Sequence, residues 1–284
     1  MAPGESSGLP NHLAPSHLGE KWYWDHQYQN DLINHQVSAT STVEEPDEGT
    51  VWFSDANAER KVLEFLRTLD DAGELHKMRA RTGRRGEENL ATSFLDLGTG
   101  NGHMLFELRE GEWQGRMVGV DYSRLSVELC QAILQRRLDE REAAKEELTE
   151  EGEDHEDYLT DYEDIWFEQY DIMKPDDRPE CFPADGFNVV LDKGTFDAIS
   201  LSDEKSRDGK RIAERYPGCI EPLVKDGGLF IVTSCNWTCD EVRSWFENRA
   251  GSKLKFRQAL NYPTFQFGGQ SGSKVCTVVF DKTP

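Results

Sequence analysis

The feature that most constrains the fold is a glycine-rich turn that follows a short apolar segment. Phe94–Leu97 is apolar except for Asp96, which indicates a buried strand with a carboxylate near its end. Glycine then occupies three alternate positions: Gly98, Gly100 and Gly102. Leucines at helical spacing follow. A strand, a glycine turn and a helix in this order are typical of open α/β sheets that bind a nucleotide-like ligand, because glycine lets the ligand approach the backbone closely.

The residues of this turn also indicate the charge of the ligand. A dinucleotide-binding fingerprint requires a glycine three positions after Gly100, and this chain has His103 there. The carboxylate of Asp96 would repel a pyrophosphate, whereas it would not repel a cationic ligand. S-adenosylmethionine fits this requirement, because it carries a sulfonium and an ammonium and no phosphate. The alternative is an ordinary tight turn between a strand and a helix, with no ligand.

Strand-like segments alternate with helical patterns along the rest of the chain, which predicts a mainly parallel sheet. The predicted strands lie at about 94–97, 116–122, 165–171, 187–192, 227–233, 253–262 and 274–280. The connection between the last two leaves no room for a helix, so we expect these strands to pair antiparallel. We therefore predict an α/β fold: a Rossmann-like seven-stranded sheet with helices on both faces and an antiparallel edge pair.

Aspartates stand at the ends of the first four predicted strands: Asp96, Asp121, Asp171 and Asp192. Ligands of open α/β sheets bind outside the carboxyl ends of the strands, so these carboxylates should converge on one crevice. We expect Asp121, with the neighbouring Tyr122, to bind the ribose hydroxyls, and Asp171 to bind the amine of adenine. Asp192 should lie near the methyl group and its acceptor. For any one aspartate, the alternative is a helix cap or a turn residue.

One domain is expected from residue 21 to residue 284, after a disordered segment, 1–20, that is rich in Pro, Gly and Ser. The aromatic segment Trp22–Tyr28 predicts a short helix that either covers the ligand or completes the core, and the sequence favours neither role. An acidic insertion at about 139–164 contains 14 acidic and two basic residues. We expect it to be solvated and mobile, and the alternative is a docking arm for a basic protein.

Composition limits the partners of the chain. The net charge of −22 argues against a nucleic acid and favours a basic partner, or simply solubility. Six scattered cysteines lack the paired spacing of a zinc site, so we expect no bound metal and a reducing compartment. No apolar stretch approaches 18 residues, so we expect no membrane span, and we find no secretory signal. Nothing in the sequence fixes the oligomeric state, and we expect a monomer.

The chain resembles the class I, seven-stranded S-adenosylmethionine-dependent methyltransferases. Leu95–Gly102 matches the first motif of that family, and Gly119–Asp121 matches the second. Three further segments resemble the group that methylates lysine in translation elongation factor 1-alpha: Trp22–Tyr28, Val51–Phe53 and Asp192–Asp197. The resemblance covers roughly residues 21–282 and does not include the acidic insertion. It implies an S-adenosyl-L-methionine cofactor, elongation factor 1-alpha as the partner, and a cytoplasmic location, with the nucleus as a second location.

A lysine substrate must have a neutral side-chain amine when it accepts the methyl group. With an ordinary pKa near 10.4, only about one amine in a thousand is neutral near pH 7.4. We expect Asp192 to attract the ammonium and aromatic rings to hold it by cation–π contact. The candidate rings are Trp52, Phe53, Trp237 and Tyr262, with core packing as the alternative for each. Most of the rate should come from alignment of the amine with the methyl group, so no general base is required.

Two other functions stay open at this point. The Asp192–Asp197 segment lacks the Asn/Asp-Pro-Pro-Tyr/Phe pattern of enzymes that methylate base amines, which argues again against a nucleic-acid substrate. The first alternative is a methyltransferase of another protein or of a small molecule on the same fold. The second is a binding protein that keeps the fold without catalysis.

Overall fold

The computed structural model describes residues 9–39, 46–78, 91–151, 160–263, 265–267 and 270–284. The α-helices are α1 (Lys21–Ser38), α2 (Ala58–Asp71), α3 (His103–Glu110), α4 (Arg124–Glu151), α5 (Thr195–Leu201), α6 (Tyr216–Ile220) and α7 (Cys239–Phe246). The strands are β1 (Phe94–Leu97), β2 (Met117–Asp121), β3 (Ile165–Gln169), β4 (Phe187–Lys193), β5 (Val224–Ser234), β6 (Leu254–Ala259), β7 (Phe265–Phe267), β8 (Gln270–Gly272) and β9 (Cys276–Lys282).

Seven of these strands form one sheet, in the order β3-β2-β1-β4-β5-β9-β6. The first three strands of the chain pair in parallel, and β4 pairs in parallel with β5. β9 pairs antiparallel with both β5 and β6. The predicted seven-stranded α/β fold with an antiparallel pair at one edge is therefore confirmed. The two-stranded hairpin of β7 and β8 is an addition that the sequence patterns did not predict.

The chain divides into two compact units. One comprises Trp24–Val51 and Leu63–Tyr170 and contains β1, β2 and β3; we call it the β1 unit. The other comprises Met1–Tyr23, Trp52–Val62 and Asp171–Pro284 and contains β4 to β9; we call it the β4 unit. The strand-end aspartates are thus divided equally between the two units.

The core of the β1 unit is built on two fully buried strands. Every residue of β1 and β2 is buried, so these short segments are apolar on both faces. The ring of Phe94 meets Trp113 edge to face, with 5.2 Å between centroids. α4 packs on β2 and β3, with Leu129 and Ile133 fully buried. This burial fixes the carboxyl ends of β1 and β2, where the glycine turn begins.

The core of the β4 unit is an aromatic cluster centred on Phe196. Its ring stacks on Tyr216 (5.5 Å between centroids) and on Trp237 (6.0 Å). Trp245 and Phe246 meet the same ring edge to face, at 5.6 and 5.1 Å. All five side chains are buried. Since these rings come from α5, α6 and α7 and from the loop before α7, they hold those elements together.

α4 continues into the acidic insertion. It has 28 residues and ends at Glu151, whereas we expected a mobile segment from about residue 139. Side chains one turn apart stabilise the extension, because Arg136 pairs with Glu140 at 2.6 Å and Gln135 donates to Asp139 at 2.8 Å. The insertion is therefore helical at its start, and residues 152–159 lie outside the described residues. None of the described helices is both long enough and apolar enough to cross a membrane.

The N-terminal segment also differs from the expectation of disorder up to residue 20. The N–H of Ser16 donates to the carbonyl of Leu201 at 3.0 Å. The guanidinium of Arg211 donates to the carbonyl of Leu13 at 3.1 Å. Residues 17–19 then form a short 3₁₀ helix. The composition of the segment did not predict this ordered structure, because the residues that are hydrogen-bonded to it lie about 190 positions away in the sequence. Residues 1–8 lie outside the described residues.

Candidate active site

The glycine turn after β1 is fastened to two strands. Its three glycines have positive φ angles of 63°, 62° and 76°: Gly98, Gly100 and Gly102. The N–H of Thr99 donates to the carbonyl of Val120 in β2 at 2.9 Å. The Thr99 hydroxyl donates to the carboxylate of Asp96 in β1 at 2.7 Å. Asp96 is 3% exposed, so its charge lies inside the turn.

Two of these glycines serve different purposes. A Cβ atom at Gly102 would lie 2.8 Å from Cζ of Phe167, so this glycine allows close packing. A Cβ atom at Gly100 would meet only the ring of Tyr28, with the hydroxyl oxygen nearest at 3.5 Å. The backbone of Gly100 therefore faces space in which a ligand can approach it. The turn has the backbone conformation that such an approach requires, and binding of a ligand at Gly100 stays a prediction.

Asp121, the last residue of β2, is held by backbone donors. Its Oδ1 accepts from the N–H of Ser123 at 2.9 Å, and its Oδ2 accepts from the N–H of Gly100 at 3.3 Å. The side chain is 2% exposed. These two bonds fix the orientation of the carboxylate at the end of β2. The adjacent Tyr122 is half-buried, and its carbonyl accepts from Gln169 at 3.1 Å.

α1 adds two residues to this site that the sequence reasoning did not single out. Asp25 accepts a hydrogen bond from the hydroxyl of Ser123 at 2.7 Å. Tyr28 is buried, and its hydroxyl lies beside Gly100. Burial, and then the charge of Asp121, raise the pKa of Tyr28 well above its ordinary value. The phenol therefore stays neutral and can donate. The dense aromatic segment was the only signal for these residues, and it did not distinguish them from their neighbours.

Three side chains hold the outer side of the turn. Ser126 and Cys130, both on α4, donate to the carbonyl of Gly100 at 2.6 and 3.2 Å. Asn101 donates to the carbonyl of Glu48 at 2.9 Å. These contacts fix the position of the Gly100 peptide from behind, which leaves its other side for a ligand. The helical spacing of Ser126 and Cys130, four residues apart, could have predicted that they share one face.

Asp171 lies two residues beyond the end of β3. Its Oδ1 accepts from the N–H of Met173 at 3.0 Å, and its Oδ2 pairs with Nζ of Lys174 at 2.9 Å. This hydrogen bond, with the carboxylate charge, raises the pKa of Lys174. The contacts are those of a turn residue, which was the alternative for this aspartate. The adenine-binding role of Asp171 stays a prediction.

Asp192, in β4, lies in an environment that differs from the one we expected. It is 1% exposed, and its carboxylate accepts from the N–H groups of Thr195 (2.9 Å) and Phe196 (3.1 Å) and from the hydroxyl of Tyr216 (2.6 Å). Burial raises its pKa to about 7. The carboxylate thus caps the first turn of α5 and faces protein donors. These are the contacts of a helix cap, which was the alternative for each aspartate, and the role of Asp192 towards the substrate stays a prediction.

The middle of the Asp192–Asp197 segment contacts Trp52 and Phe53, the aromatic residues that precede α2. Nζ of Lys193 lies 3.4 Å from the carboxylate of Glu59 and 3.4 Å from the carbonyl of Trp52. Gly194 has a φ of 87°, and a Cβ atom there would lie 3.2 Å from the ring of Phe53. The positive φ and this close contact both favour glycine at this position. The structure thus brings Trp52 and Phe53, both half-buried, to the end of β4.

The other two candidate aromatic residues differ from each other. Trp237 is 5% exposed, stacks in the core and donates its indole N–H to Ser200 at 3.3 Å. These are the contacts of core packing, which was the alternative for this residue, and its contact with substrate stays a prediction. Tyr262 is half-buried, and its hydroxyl is hydrogen-bonded to Thr277 at 2.7 Å. Nζ of Lys61 lies 5.2 Å from the centroid of the Tyr262 ring, which shows that this ring can hold an ammonium.

The comparison with protein families decides what kind of chain this is. Residues 88–269 match a family model described as "Methyltransferase domain", which covers more than half of the chain and includes the glycine turn. The chain belongs to this methyltransferase family.

Among the described residues, no group of three or more His, Cys, Asp and Glu side chains is arranged to hold a metal ion.

Three relatives resemble this methyltransferase over nearly their whole length. "Protein-lysine N-methyltransferase EFM4" of Saccharomyces cerevisiae is 39% identical, over 95% of this chain and 96% of that protein. "Protein-lysine N-methyltransferase efm4" of Schizosaccharomyces pombe is 31% identical, over 98% of both chains. "EEF1A lysine methyltransferase 2" of Danio rerio is 31% identical, over 95% and 90%. Within its family, the chain therefore belongs with the protein-lysine N-methyltransferases.

The predicted site residues of this methyltransferase fall into two sets. The β1 unit brings together the glycine turn and its two aspartates, joined by Asp25 and Tyr28 of α1. The β4 unit brings Trp52 and Phe53 to the segment that begins at Asp192. The first set holds buried carboxylates around the glycine turn, and the second holds rings close to a carboxylate that caps α5.

Proposed function

We propose that this methyltransferase uses S-adenosyl-L-methionine to methylate a lysine side chain of translation elongation factor 1-alpha. The observation that carries this proposal is the similarity, over nearly the whole chain, to proteins named as protein-lysine N-methyltransferases. The name of the zebrafish relative specifies EEF1A as the protein that is methylated. The resemblance of the Asp192–Asp197 segment to the elongation-factor group supports the same substrate.

The β1 unit fits the cofactor. Among the described residues, a Cβ atom at Gly100 would meet only the Tyr28 ring, and the Asp121 carboxylate lies 3.3 Å from the N–H of Gly100, beside the position we propose for the ribose hydroxyls. The carboxylates of Asp96 and Asp25 supply negative charge that suits an ammonium and a sulfonium. When bound, the cofactor supplies an electrophilic methyl group on sulfur. The residues of the chain then orient the ligand, since the Gly100 peptide is fixed by α4 and Asp121 by two N–H donors.

The β4 unit supplies surfaces that can hold an ammonium before the proton is lost. Trp52 and Phe53 are half-buried at the end of β4, and Tyr262 contacts an ammonium of the same chain. Rings of this kind stabilise a cation by about 0.5–2 kcal/mol. The buried oxygens of Asp192 accept from three protein donors. Its part is to fix α5 and the adjoining Lys193–Gly194 peptide.

The test is methylation of purified elongation factor 1-alpha, with methyl-labelled cofactor and location of the label by mass spectrometry. We expect the label on one or a few lysines, and its loss when the modified lysine is replaced by arginine. Asp121→Asn is the matched variant of the enzyme, because it keeps the shape of the side chain and removes its charge. Label on an RNA or a metabolite, with the elongation factor unlabelled, would contradict the substrate and leave the fold intact.

We also propose that the enzyme works as a monomer in the cytoplasm, with the nucleus as a second location, on a basic protein surface. The net charge of −22 would speed the encounter with such a surface. None of the six cysteines is in a disulfide, which fits a reducing compartment. Sedimentation, cell fractionation and the salt dependence of kcat/KM test these points. Rates that do not fall with rising ionic strength would contradict the charge argument.

A further inference from the structure

Two cysteines of the β4 unit lie close together beside the loop that carries Trp237. Cys239 is the first residue of α7, and Cys276 is the first residue of β9. The thiol of Cys276 donates to the carbonyl of Trp237 at 3.1 Å, and Cys239 follows Trp237 by two residues. Cys239 therefore opens α7 close to the carbonyl group that binds the Cys276 thiol. Cys276 is 5% exposed and Cys239 is half-buried, so one member of the pair is accessible to a small reagent.

The surroundings give the two thiols different reactivity. Interaction with the Cys276 thiol lowers the pKa of Cys239 to about 7, against the opposing effects of burial and of the Asp240 charge. The interaction with Cys239 and burial raise the pKa of Cys276. Cys239 also lies in the first turn of a helix, where the backbone dipole favours a thiolate. Cys239 is therefore the nucleophile of the pair, and Cys276 is the partner that stays protonated.

A third cysteine nearby provides a contrast. Cys235 is exposed, and exposure alone would make it the most reactive of the three. Desolvation of its thiol and the charge of Asp197 raise the pKa of Cys235 to about 12. Asp197 is itself held in place by the hydroxyl of Ser234 and the N–H of Cys235. The thiolate form of Cys235 is therefore rare near neutral pH, so its exposure does not make it reactive.

We propose that Cys239 and Cys276 form an oxidation site that closes into an intramolecular disulfide when the protein meets a peroxide. The Cys239 thiolate attacks one oxygen of hydrogen peroxide, so that an S–O bond forms, the O–O bond breaks, and the departing hydroxide takes up a proton as water. Cys276 then loses its proton, and its sulfur attacks the Cys239 sulfur, forming the S–S bond and releasing the second water. Two thiols are oxidised and one peroxide is reduced to two waters.

Oxidation would affect the β4 unit, where we propose that the substrate lysine binds. Thr277, the neighbour of Cys276, is hydrogen-bonded to the hydroxyls of Tyr262 and Thr233, at 2.7 and 2.8 Å. A disulfide also removes the S–H that donates to Trp237, whose ring stacks on Phe196 at the start of α5. The cofactor residues of the β1 unit make none of these contacts. This consequence for activity rests on the proposed function, whereas formation of the disulfide does not.

The first experiment identifies the bond. The full-length protein is treated with equimolar hydrogen peroxide, blocked with an alkylating reagent and digested without reductant. We expect a linked peptide pair containing Cys239 and Cys276, two hydrogens lighter than the separate peptides, in the wild type and in Cys235→Ser. We expect no linked pair in Cys239→Ser or Cys276→Ser. A bond between Cys235 and Cys239, or oxidation that leaves Cys239 and Cys276 unlinked, would overturn the proposal.

A second measurement needs neither peroxide nor a substrate. The alkylation rates of Cys235 and Cys239 are compared from pH 6 to pH 9 in the reduced, folded protein. We expect Cys239 to react at least tenfold faster at pH 7, with a midpoint near 7, although Cys235 is the more exposed residue. Faster reaction at Cys235 would overturn the assignment of the nucleophile. Cys239→Ser serves as the variant that assigns each signal, and near-ultraviolet circular dichroism confirms that it is folded.

The third measurement connects the bond to function. We expect peroxide to lower methyl transfer at least fivefold in the wild type, with recovery after reduction, and to leave cofactor affinity within about twofold. Cys239→Ser should keep its activity through the same treatment. If the disulfide forms and turnover is unchanged, the regulatory consequence fails while the site stands. If no substrate is methylated before oxidation, it is the proposed function that fails.

Discussion

The two units of this methyltransferase use buried aspartates at the ends of their strands in different ways. In the β1 unit, Asp121 accepts from the backbone N–H groups of Gly100 and Ser123. In the β4 unit, Asp192 accepts from two backbone N–H groups and also from the buried hydroxyl of Tyr216. Both side chains are almost fully buried, with 2% and 1% of their surface exposed. What separates them is the place of these donors: the glycine turn and the residue before α4 for Asp121, and α5 with the aromatic core for Asp192.

This difference shows that a buried carboxylate at a strand end can orient a glycine turn or cap a helix. Asp121 is bonded to the N–H of Gly100 in the turn, where we propose that the cofactor binds. Asp192 stands inside a packed cluster, and burial raises its pKa to about 7. Substitutions at the two positions should therefore affect different properties, one mainly binding and the other mainly stability.

The largest effect should come from Asp192→Ala. It leaves two N–H groups of α5 and the Tyr216 hydroxyl without their acceptor, and each buried group left unsatisfied costs about 1–3 kcal/mol. We expect the free energy of unfolding in urea to fall by about 3 kcal/mol or more. Asp192→Asn keeps an acceptor for α5 and should cost less than half as much. Equal losses in the two variants would mean that hydrogen bonding at this site does not control stability.

The pH dependence of stability should reveal the same residue. The folded-state pKa of Asp192, about 7, lies above its ordinary value of 3.8, so the folded protein binds the proton more tightly than the unfolded chain. The stabilisation is complete below about pH 4 and is lost as the pH rises towards 7, by at most about 1.4 kcal/mol per pH unit. The difference between the free energies of unfolding of the wild type and of Asp192→Asn should show this decline. A difference that does not vary between pH 4 and pH 7 would contradict the shifted pKa.

Asp121→Ala should lower the affinity for the cofactor, a property that a substitution at Asp192 should leave nearly unchanged. Each lost ribose hydrogen bond to the carboxylate costs about 1.5–3 kcal/mol, which corresponds to a tenfold to hundredfold loss of affinity for S-adenosylmethionine. Titration calorimetry measures it, with Asp192→Asn as the control that should bind within about threefold of the wild type. Unchanged affinity in Asp121→Ala would remove this residue from the cofactor site.

Gly100→Ala should give a smaller effect, divided between binding and stability. The φ of 62° strains an alanine by about 1 kcal/mol, and the new methyl group would enter the open side of the turn. We expect the midpoint of urea unfolding to fall slightly and cofactor affinity to fall more. Gly102→Ala is the matched control, since its methyl group would meet Phe167 and should lower stability more than binding. The reverse ranking would place the ligand away from Gly100.

The smallest effect on folding should follow removal of the charged end of α4. Replacing residues 142–160 with a short Gly/Ser linker leaves the contacts of Arg136, Arg137 and Tyr162 in place. We expect the thermal midpoint and cofactor affinity to stay close to wild type. A salt-sensitive loss of turnover would support a docking role for the insertion, and a large fall in the thermal midpoint would show that it packs on the enzyme.

How much of the site could be predicted depended on the distance between interacting residues in the sequence. Thr99 and Asp96, or Ser123 and Asp121, are two or three positions apart, so the strand and turn pattern places them together. Asp25 and Ser123 are 98 positions apart, and Trp52 and Lys193 are 141 apart. No local pattern relates such residues, and their contacts arise only when the chain is packed.

The sequence was enough to predict the strands, the glycine turn and the aspartate at the end of β2. These depend on apolar segments, on backbone conformations that glycine favours, and on the side to which strand ends point in a parallel sheet. Tertiary packing was needed to show that Asp192 caps α5, that Trp237 is buried in the core and that Tyr28 faces the turn. The physical reason is that burial and the supply of hydrogen-bond donors come from distant segments, whereas φ angles and apolar periodicity are local.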